Sequence, residues 1–323
     1  MRGLFCLQMA HIFFSCSLAF YGVSCYNVFN ANTLMEESDV KLRFVKASPC
    51  CNTTVFILDD VPRAAYAAVA GLVMETEYLA AEQVGFLSPS EDGTALLHLS
   101  MSGGEFCGNA MLALGAWAVK EGLAAPSQEF FLTCSGIDKP LQHTVERVSA
   151  GRFDVRGKMP AALAIRPVVM EAAGQKFFGT LVTFPGIVHF CVEATVLPNL
   201  VPYDALLTAV AETSGTAAYG VVPYWRQGAD AWKIHPYIGV AATGSRVYEK
   251  ACGSGSLALA LALSETAGSG RLRILQPGGM IAANPEEPSI STTVYFPCEG
   301  SLWVPDGGDI EILSRKKNGG IGR

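Results

Sequence analysis

Phe106-Cys107-Gly108-Asn109-Ala110 and Ala251-Cys252-Gly253-Ser254-Gly255 are the two stretches around which the rest of the chain is organised. Each puts a cysteine and a glycine at the mouth of an apolar run of about two to two and a half turns, Met111 to Val119 in the first copy and Leu257 to Leu263 in the second. The first N–H groups of a helix have no internal partner and carry partial positive charge, so a thiol placed there is expected to have a lowered pKa and to serve as a base. Glycine after each cysteine lets a ligand approach the backbone, where the free N–H groups form a site for a carboxylate. If the two helices face each other, a small acid is held with one sulfur on each side of its α-carbon. A single buried cysteine is usually a small hydrophobe. Two Cys-Gly steps that each open an Ala/Leu-rich run are harder to assign to packing.

The chain has 323 residues, half of them hydrophobic, and a mean hydropathy of +0.31, enough for two ordinary domains or one large one with a substantial core. A net charge of −6 and the absence of a basic, aromatic-laced cluster exclude a nucleic-acid footprint. Ten cysteines without a C-x-x-C pair are too dilute for a disulfide scaffold, and a reducing, cytoplasmic compartment suits a thiol mechanism. Residues 1–34 form an N-terminal extension outside the fold. The apolar stretch Gly3 to Ser24 has a signal-like look, but Gln8 and His11 interrupt it, and a start at Met35 gives the same picture. No membrane partner is expected of the mature fold.

From Lys41 the chain reads as a hairpin, Leu42 to Lys46 and Thr54 to Leu58, with Asn52 near its tip. A helix over Val61 to Glu82 follows, Pro62 in its first turn. The strand Ala95 to Ser100 then leads through Gly103-Gly104 into Cys107, and the helix after it stops at Lys120-Glu121-Gly122. Phe130 to Cys134, Thr144 to Val148 and Phe153 to Lys158 read as an antiparallel meander. A second half begins near Arg166, with strands Phe177 to Phe184 and Ile187 to Val192, His189 on the second, and a helix over Pro202 to Glu212. Leu257, Leu259, Leu261 and Leu263 alternate as in a strand, yet Ala and Leu without β-branched residues predict a helix, with Gly268 as its stop. The tail to Leu313 is strands and turns, and 315–323 a mobile end. The halves, 41–165 and 166–314, share an order of elements, as an internal duplication would produce, and the cleft between them is the expected site.

At Ser102 to Ala110 and Ala251 to Gly255 the chain resembles the diaminopimelate epimerase superfamily of cofactor-independent amino-acid racemases. The resemblance implies an α+β fold of two pseudo-symmetric halves, each a β-barrel around a central helix. Within that superfamily the chain looks most like the histidine racemases of staphylopine-type metallophore pathways. The matching runs are Glu82 to Phe86, Met101-Ser102-Gly103, Glu105 to Ala110, Val188-His189, Cys252 to Gly255 and Gln276 to Gly279. The implied substrate is L-histidine, with Cys107 and Cys252 as the acid/base pair and Asn52, Gln83, Gly108, Asn109, His189, Glu249, Gly253 and Ser254 as substrate contacts.

No metal and no cofactor are implied, and a homodimer is compatible with this reading. His98 and Thr243-Gly244-Ser245 stand where true diaminopimelate epimerases carry an asparagine and a Glu-Arg-Gly run, which disfavours that substrate; His98 itself reads as an ordinary half-buried strand histidine. Asn109 replaces the histidine usual in proline racemases. The rival readings are a diaminopimelate epimerase, a racemase of another amino acid, and a non-catalytic relative that binds a small acid.

Overall fold

The structure, a computed structural model, describes residues 39–90, 93–194, 202–241, 244–264 and 270–305. The N-terminal extension, Thr243, Gly268 and the end beyond 305 lie outside the described residues.

The first half is a ring built on α2 (Gly108–Lys120), whose residues from Gly108 to Val119 are all buried. Strands β1 (Val40–Pro49) and β2 (Thr54–Ile57) form the expected hairpin. A 3-10 turn (Arg63–Ala65) and α1 (Tyr66–Met74) cross over to β3 (Gln83–Ser88), parallel to β2. Next comes β4 (Leu97–Met101), antiparallel to β3. Helix α2 then crosses to β5 (Glu129–Cys134), parallel to β4. The antiparallel strands β6 (Leu141–Ser149) and β7 (Arg152–Lys158) complete the meander. The ring closes through the last described strand, β17 (Ser289–Val304), whose first part pairs with β7 and whose remainder pairs with β1.

The second half repeats this order of ladders around α4 (Gly253–Ala262). Its strands are β8 (Ala164–Ala172), β9 (Gln175–Phe184), β10 (Ile187–Glu193), β11 (Ala218–Arg226), β12 (Ala231–Ile234), β15 (Leu272–Gln276) and β16 (Gly279–Asn284). Strands β9 and β10 are antiparallel, and β10 and β11 are parallel across α3 (Tyr203–Ser214). Then β11 and β12 are antiparallel, β12 and β15 parallel across α4, and β15, β16 and β17 antiparallel. A small hairpin, β13 (Tyr237–Val240) and β14 (Ser245–Tyr248), is added on β11. Among the described strands β8 pairs only with β9, so this ladder is not closed by hydrogen bonds as the first is.

The alternating leucines of the second motif do fold as a helix. Leu257, Ala258, Leu259 and Ala260 are all buried, and a helix enclosed on every side needs no polar stripe, so its period is unreadable in the sequence. The helix predicted to reach Glu82 stops at Met74, because Glu75 turns extended (ψ 149°) and the residues from Glu75 to Glu77 are exposed. With no apolar stripe beyond Val73 to bury, the helix has nothing to hold it. One buried cluster takes in Met111 and Leu114 of α2, Leu257 and Leu259 of α4 and Ile290 of β17, so the two helices share a core.

Candidate active site

Both cysteines stand immediately before a helix, in extended backbone: Cys107 (φ −128°, ψ 110°) caps α2 and Cys252 (φ −123°, ψ 110°) caps α4. Each sulfur accepts a hydrogen bond from the N–H three residues on, Ala110 to Cys107 and Gly255 to Cys252, both at 3.4 Å. The first intrahelical bonds come from Met111 N–H to Cys107 O and Ser256 N–H to Cys252 O (both 3.0 Å). The N–H groups of Gly108, Asn109, Gly253 and Ser254 precede those bonds and form the first turn of each helix.

The two helix ends meet. Asn109 Nδ2 donates to Ala251 O (3.0 Å), joining the motifs directly. A β-carbon on Gly253 would lie 2.8 Å from Ile290 Cδ1 and 3.0 Å from Asn109 Oδ1, and one on Gly108 would lie 2.9 Å from Met159 Sδ and 3.3 Å from Ile290 Cδ1. Glycine follows each cysteine because both helix ends converge on the shared strand β17. At Gly253 the close approach is also to Asn109 of the other motif.

A directional chain of hydrogen bonds supports the first thiol. Lys250 Nζ lies 3.2 Å from Glu82 Oε1. The other carboxylate oxygen, Oε2, accepts from Asn52 Nδ2 (3.0 Å), so Asn52 Oδ1 must face Gln83, whose Nε2 donates to it and to Thr54 Oγ1 (both 2.8 Å). Both donor positions of the Gln83 amide are thereby spent, and its Oε1 accepts from the Cys107 thiol (3.1 Å).

The second thiol is held differently. Gln276 Oε1 accepts from the backbone N–H of Cys252 (2.6 Å), its Nε2 donates to Ser256 Oγ (2.9 Å), and Ser256 Oγ returns to Cys252 O (2.7 Å). This loop braces the backbone and leaves the sulfur to other partners. Ser254 Oγ lies 3.6 Å from the Cys252 sulfur and 2.8 Å from His189 Nε2. The Glu249 carboxyl acts electrostatically on the Cys252 thiol.

Burial reverses the expected direction of the thiol pKa values. Desolvation pushes Cys107 up to about 12, against the lowering by the Ala110 N–H. Cys252 is also raised, first by desolvation and then by the neighbouring Glu249 carboxylate. The helix-terminus contribution is real but smaller than the cost of a buried anion. Desolvation likewise lifts Glu249 to about 7, with the charge of Glu82 adding to the rise.

The structure therefore brings together Asn52, Gln83, Cys107, Asn109, Glu249, Cys252, Gly253, Ser254 and His189. His189 is fully buried behind Ser254, so it reaches Cys252 only through that hydroxyl. Glu82, Lys250, Ser256 and Gln276 were not singled out individually. Glu82 and Gln276 sit in runs already marked by resemblance, whereas the partnership of Glu82 with Lys250 has no local signal. His98 bonds Thr133 Oγ1 on β5 (2.9 Å), as a half-buried strand histidine does. All cysteines among the described residues are free thiols, and among those residues no group of three or more His, Cys, Asp or Glu is placed to hold a metal ion. No described helix is long and apolar enough to cross a membrane.

Two buried histidines bear on stability. Desolvation lowers His143, against Gly115 and Gly157 inside the ring, to about 4, and His189 to about 3. Their folded pKa values lie below the unfolded value of about 6.5, so the neutral forms are the native ones and stability is complete above that pH. As the pH falls below about 6.5, each histidine is expected to remove about 1.4 kcal/mol per unit. Urea midpoints measured between pH 7.5 and pH 5 check this, and a midpoint that holds constant to pH 5 would show that neither histidine is kept neutral by the fold.

The sequence model of the family described as the histidine racemase CntK N-terminal domain matches residues 41–293. A histidine racemase of Fusobacterium nucleatum subsp. nucleatum is 29% identical over 273 residues, covering 81% of this chain and 97% of its own. One from Staphylococcus aureus is 24% identical, covering 68% and 78%. Among solved structures, a hydroxyproline epimerase from Agrobacterium vitis superposes with a TM-score of 0.60 at 12% identity, covering 85% of this chain and 96% of that one, a likeness of fold.

Proposed function

The chain belongs to the family of the histidine racemase CntK N-terminal domain, and from that premise we propose that it interconverts L- and D-histidine by a two-base mechanism with Cys107 and Cys252 as acid and base. The enzyme is an isomerase of the racemase class. The observation that carries the finer reading is the pairing of two N-capping thiols on helix ends that touch through Asn109 and Ala251.

In this reading the substrate carboxylate lies on the first-turn N–H groups of Gly108, Asn109, Gly253 and Ser254, where two helix N-termini favour negative charge. One sulfur removes the α-proton, the electron pair is taken up by the carboxylate under those donors, and the other thiol delivers a proton to the opposite face. Gln83 and Asn52 orient Cys107, and Ser254 with His189 orients Cys252. The repeated order of ladders supports halves at 41–165 and 166–314 in a diaminopimelate epimerase-like arrangement of two barrels, the second completed around α4. A cytoplasmic, metallophore-linked role and a homodimer belong to the same proposal.

Incubation with L-histidine in D2O, without added cofactor, is expected to yield D-histidine carrying one α-deuterium. Exchange and inversion together on histidine support the substrate assignment. Their absence on histidine, with either seen on another amino acid, would keep the racemase and replace the substrate.

A further inference from the structure

The helix caps treat the two sulfurs alike, since the Ala110 N–H approaches Cys107 and the Gly255 N–H approaches Cys252 at the same 3.4 Å. What distinguishes them is the side chain facing each: Gln83 Oε1 lies 3.1 Å from the Cys107 sulfur, and Ser254 Oγ 3.6 Å from that of Cys252. A hydroxyl turns to donate or to accept, whereas an amide offers one or the other and is held to that choice by its remaining contacts. We propose that Glu82 makes the choice: it sets the polarity of the amide chain so that Gln83 offers Cys107 an acceptor, and Cys107 thereby keeps its proton in the free enzyme and is the thiol that protonates the α-carbon. This rests on the racemase reading and adds Glu82 to it as a positioning residue.

The polarity follows link by link from the carboxylate. Glu82 is anchored through its N–H, which bonds Thr53 O and Thr53 Oγ1 (both 3.1 Å), just before β3 pairs with β2 at Gln83 and Thr54. Lys250 Nζ takes Oε1 (3.2 Å) and leaves Oε2 to Asn52. A carboxylate oxygen accepts, so Asn52 presents Nδ2 to it and Oδ1 to Gln83. Gln83 in turn presents Nε2 to Asn52 Oδ1 and Thr54 Oγ1, which leaves only Oε1 for the sulfur. Thr54 by itself would not decide, because a hydroxyl pairs with either end of an amide. Asn52 and Thr54 are both buried, so the chain is completed by side chains rather than by bulk water.

Run the other way, the same chain would put Gln83 Nε2 on the sulfur, and a donor there stabilises the thiolate. The orientation therefore matters more than the contact. The other titratable groups that act on Cys107 are Cys134 and Glu249, and both raise its pKa, in the same direction as the chain. In turnover on the Cys107 face, the S–H bond breaks as the α-C–H bond forms. The carbon supplies the electron pair of the new bond, the sulfur keeps the pair of the old one, and water afterwards returns a proton to it.

Glu82→Gln tests this almost without a change of shape. Lys250 keeps the remaining oxygen, because an ammonium only donates, so the new nitrogen faces Asn52 Oδ1 and each amide in turn reverses. Cys107 is partly exposed and can be followed by iodoacetamide alkylation, read by mass spectrometry on its peptide. At about pH 8.5 alkylation of Cys107 is expected to run about fivefold faster in Glu82→Gln than in wild type, with Cys252 unchanged. Adding Asn52→Asp moves the acceptor-only side chain one link nearer the sulfur, so Gln83 must again turn Nε2 towards it, and the double variant is expected to return to the wild-type rate. A merely structural role of Glu82 would not be rescued in this way. An unchanged rate in Glu82→Gln, an equally fast double variant, or an equal acceleration at Cys252 overturns the inference. In the wild type itself, the infrared S–H band that disappears on Cys107→Ser should be present at about pH 8.5, and its absence overturns the inference even if the Glu82 variants fold poorly. The expected alkylation pattern with no racemisation of any amino acid would instead leave the polarised chain standing and remove the racemase reading.

Discussion

Cys107→Ser and Cys252→Ser are each expected to lower racemisation by about 10³–10⁴-fold while leaving the protein folded. The fold should survive because the sulfur's structural task is that of an N-cap acceptor, taking the Ala110 or Gly255 N–H at 3.4 Å, and serine is among the best N-caps. Chemistry should not survive, because a buried hydroxyl is a far weaker acid than a thiol and can neither hold nor release the proton at the required moment. The loss should also be one-sided. With one thiol intact, a variant can exchange the α-hydrogen of a single enantiomer with solvent but cannot invert it. Chiral chromatography of products, deuterium incorporation and a thermal unfolding midpoint together check this. Racemisation above one tenth of wild type in either variant, with the fold unchanged, would take the thiols out of the mechanism.

Gly278→Ala should be the most disruptive change away from the sulfurs. A β-carbon there would lie 2.0 Å from Cys50 O, 2.9 Å from Cys50 C and 3.0 Å from Cys51 Cβ. The first two are backbone atoms, and the turn that carries them cannot easily yield, since Cys50 (φ 49°) and Cys51 (φ 60°) are both left-handed. Gly278 N–H is also bonded to Lys250 O (2.7 Å). The residues on either side of this contact serve different cysteines: Asn52 leads through Gln83 to Cys107, and Gln276 holds the backbone of Cys252. Forcing the two turns apart is expected to cost about 3 kcal/mol and to lower kcat more than tenfold by shifting one sulfur relative to the other. Urea denaturation and steady-state kinetics measure both. A variant within about 0.5 kcal/mol of wild type would mean that the turns are not in hard contact.

The parts of the site legible in the sequence are those with a local signature. A cysteine and a glycine before an Ala/Leu-rich run announce a capped, enclosed helix, and two such runs announce a pair. What was not legible depends on residues far apart along the chain. Nothing near Glu82 points to Lys250, and nothing in Gln276-Pro277-Gly278-Gly279 says that its glutamine braces the Cys252 N–H while Gln83 meets the Cys107 thiol itself. The direction of the thiol pKa shifts was misread for a related reason: a helix terminus is visible in sequence, but the burial that outweighs it is created by strands contributed from both halves. The helix predicted over Val61 to Glu82 ran long because alanine-rich sequence is helix-permissive, and permission without a buried stripe is not enough. The β11–β14 region, with Tyr, Trp and Pro mixed along Ala218–Arg226, offered no clean period in either class.

Strand β17 has a consequence for how the protein is made. Its pairing joins Val40 to Val304 and Pro49 to Val294, among the longest sequence separations in the molecule. On the ribosome, β1 and β7 emerge well before β17 and must wait with open edges until it is released, so the first half closes late. Such non-local pairing slows folding and prolongs exposure of strand edges. Nascent chains stalled anywhere before Ser289 should therefore lean on chaperones, and a circular permutant that joins residue 304 directly to residue 39 would bring the two edges into one hairpin at the start of synthesis.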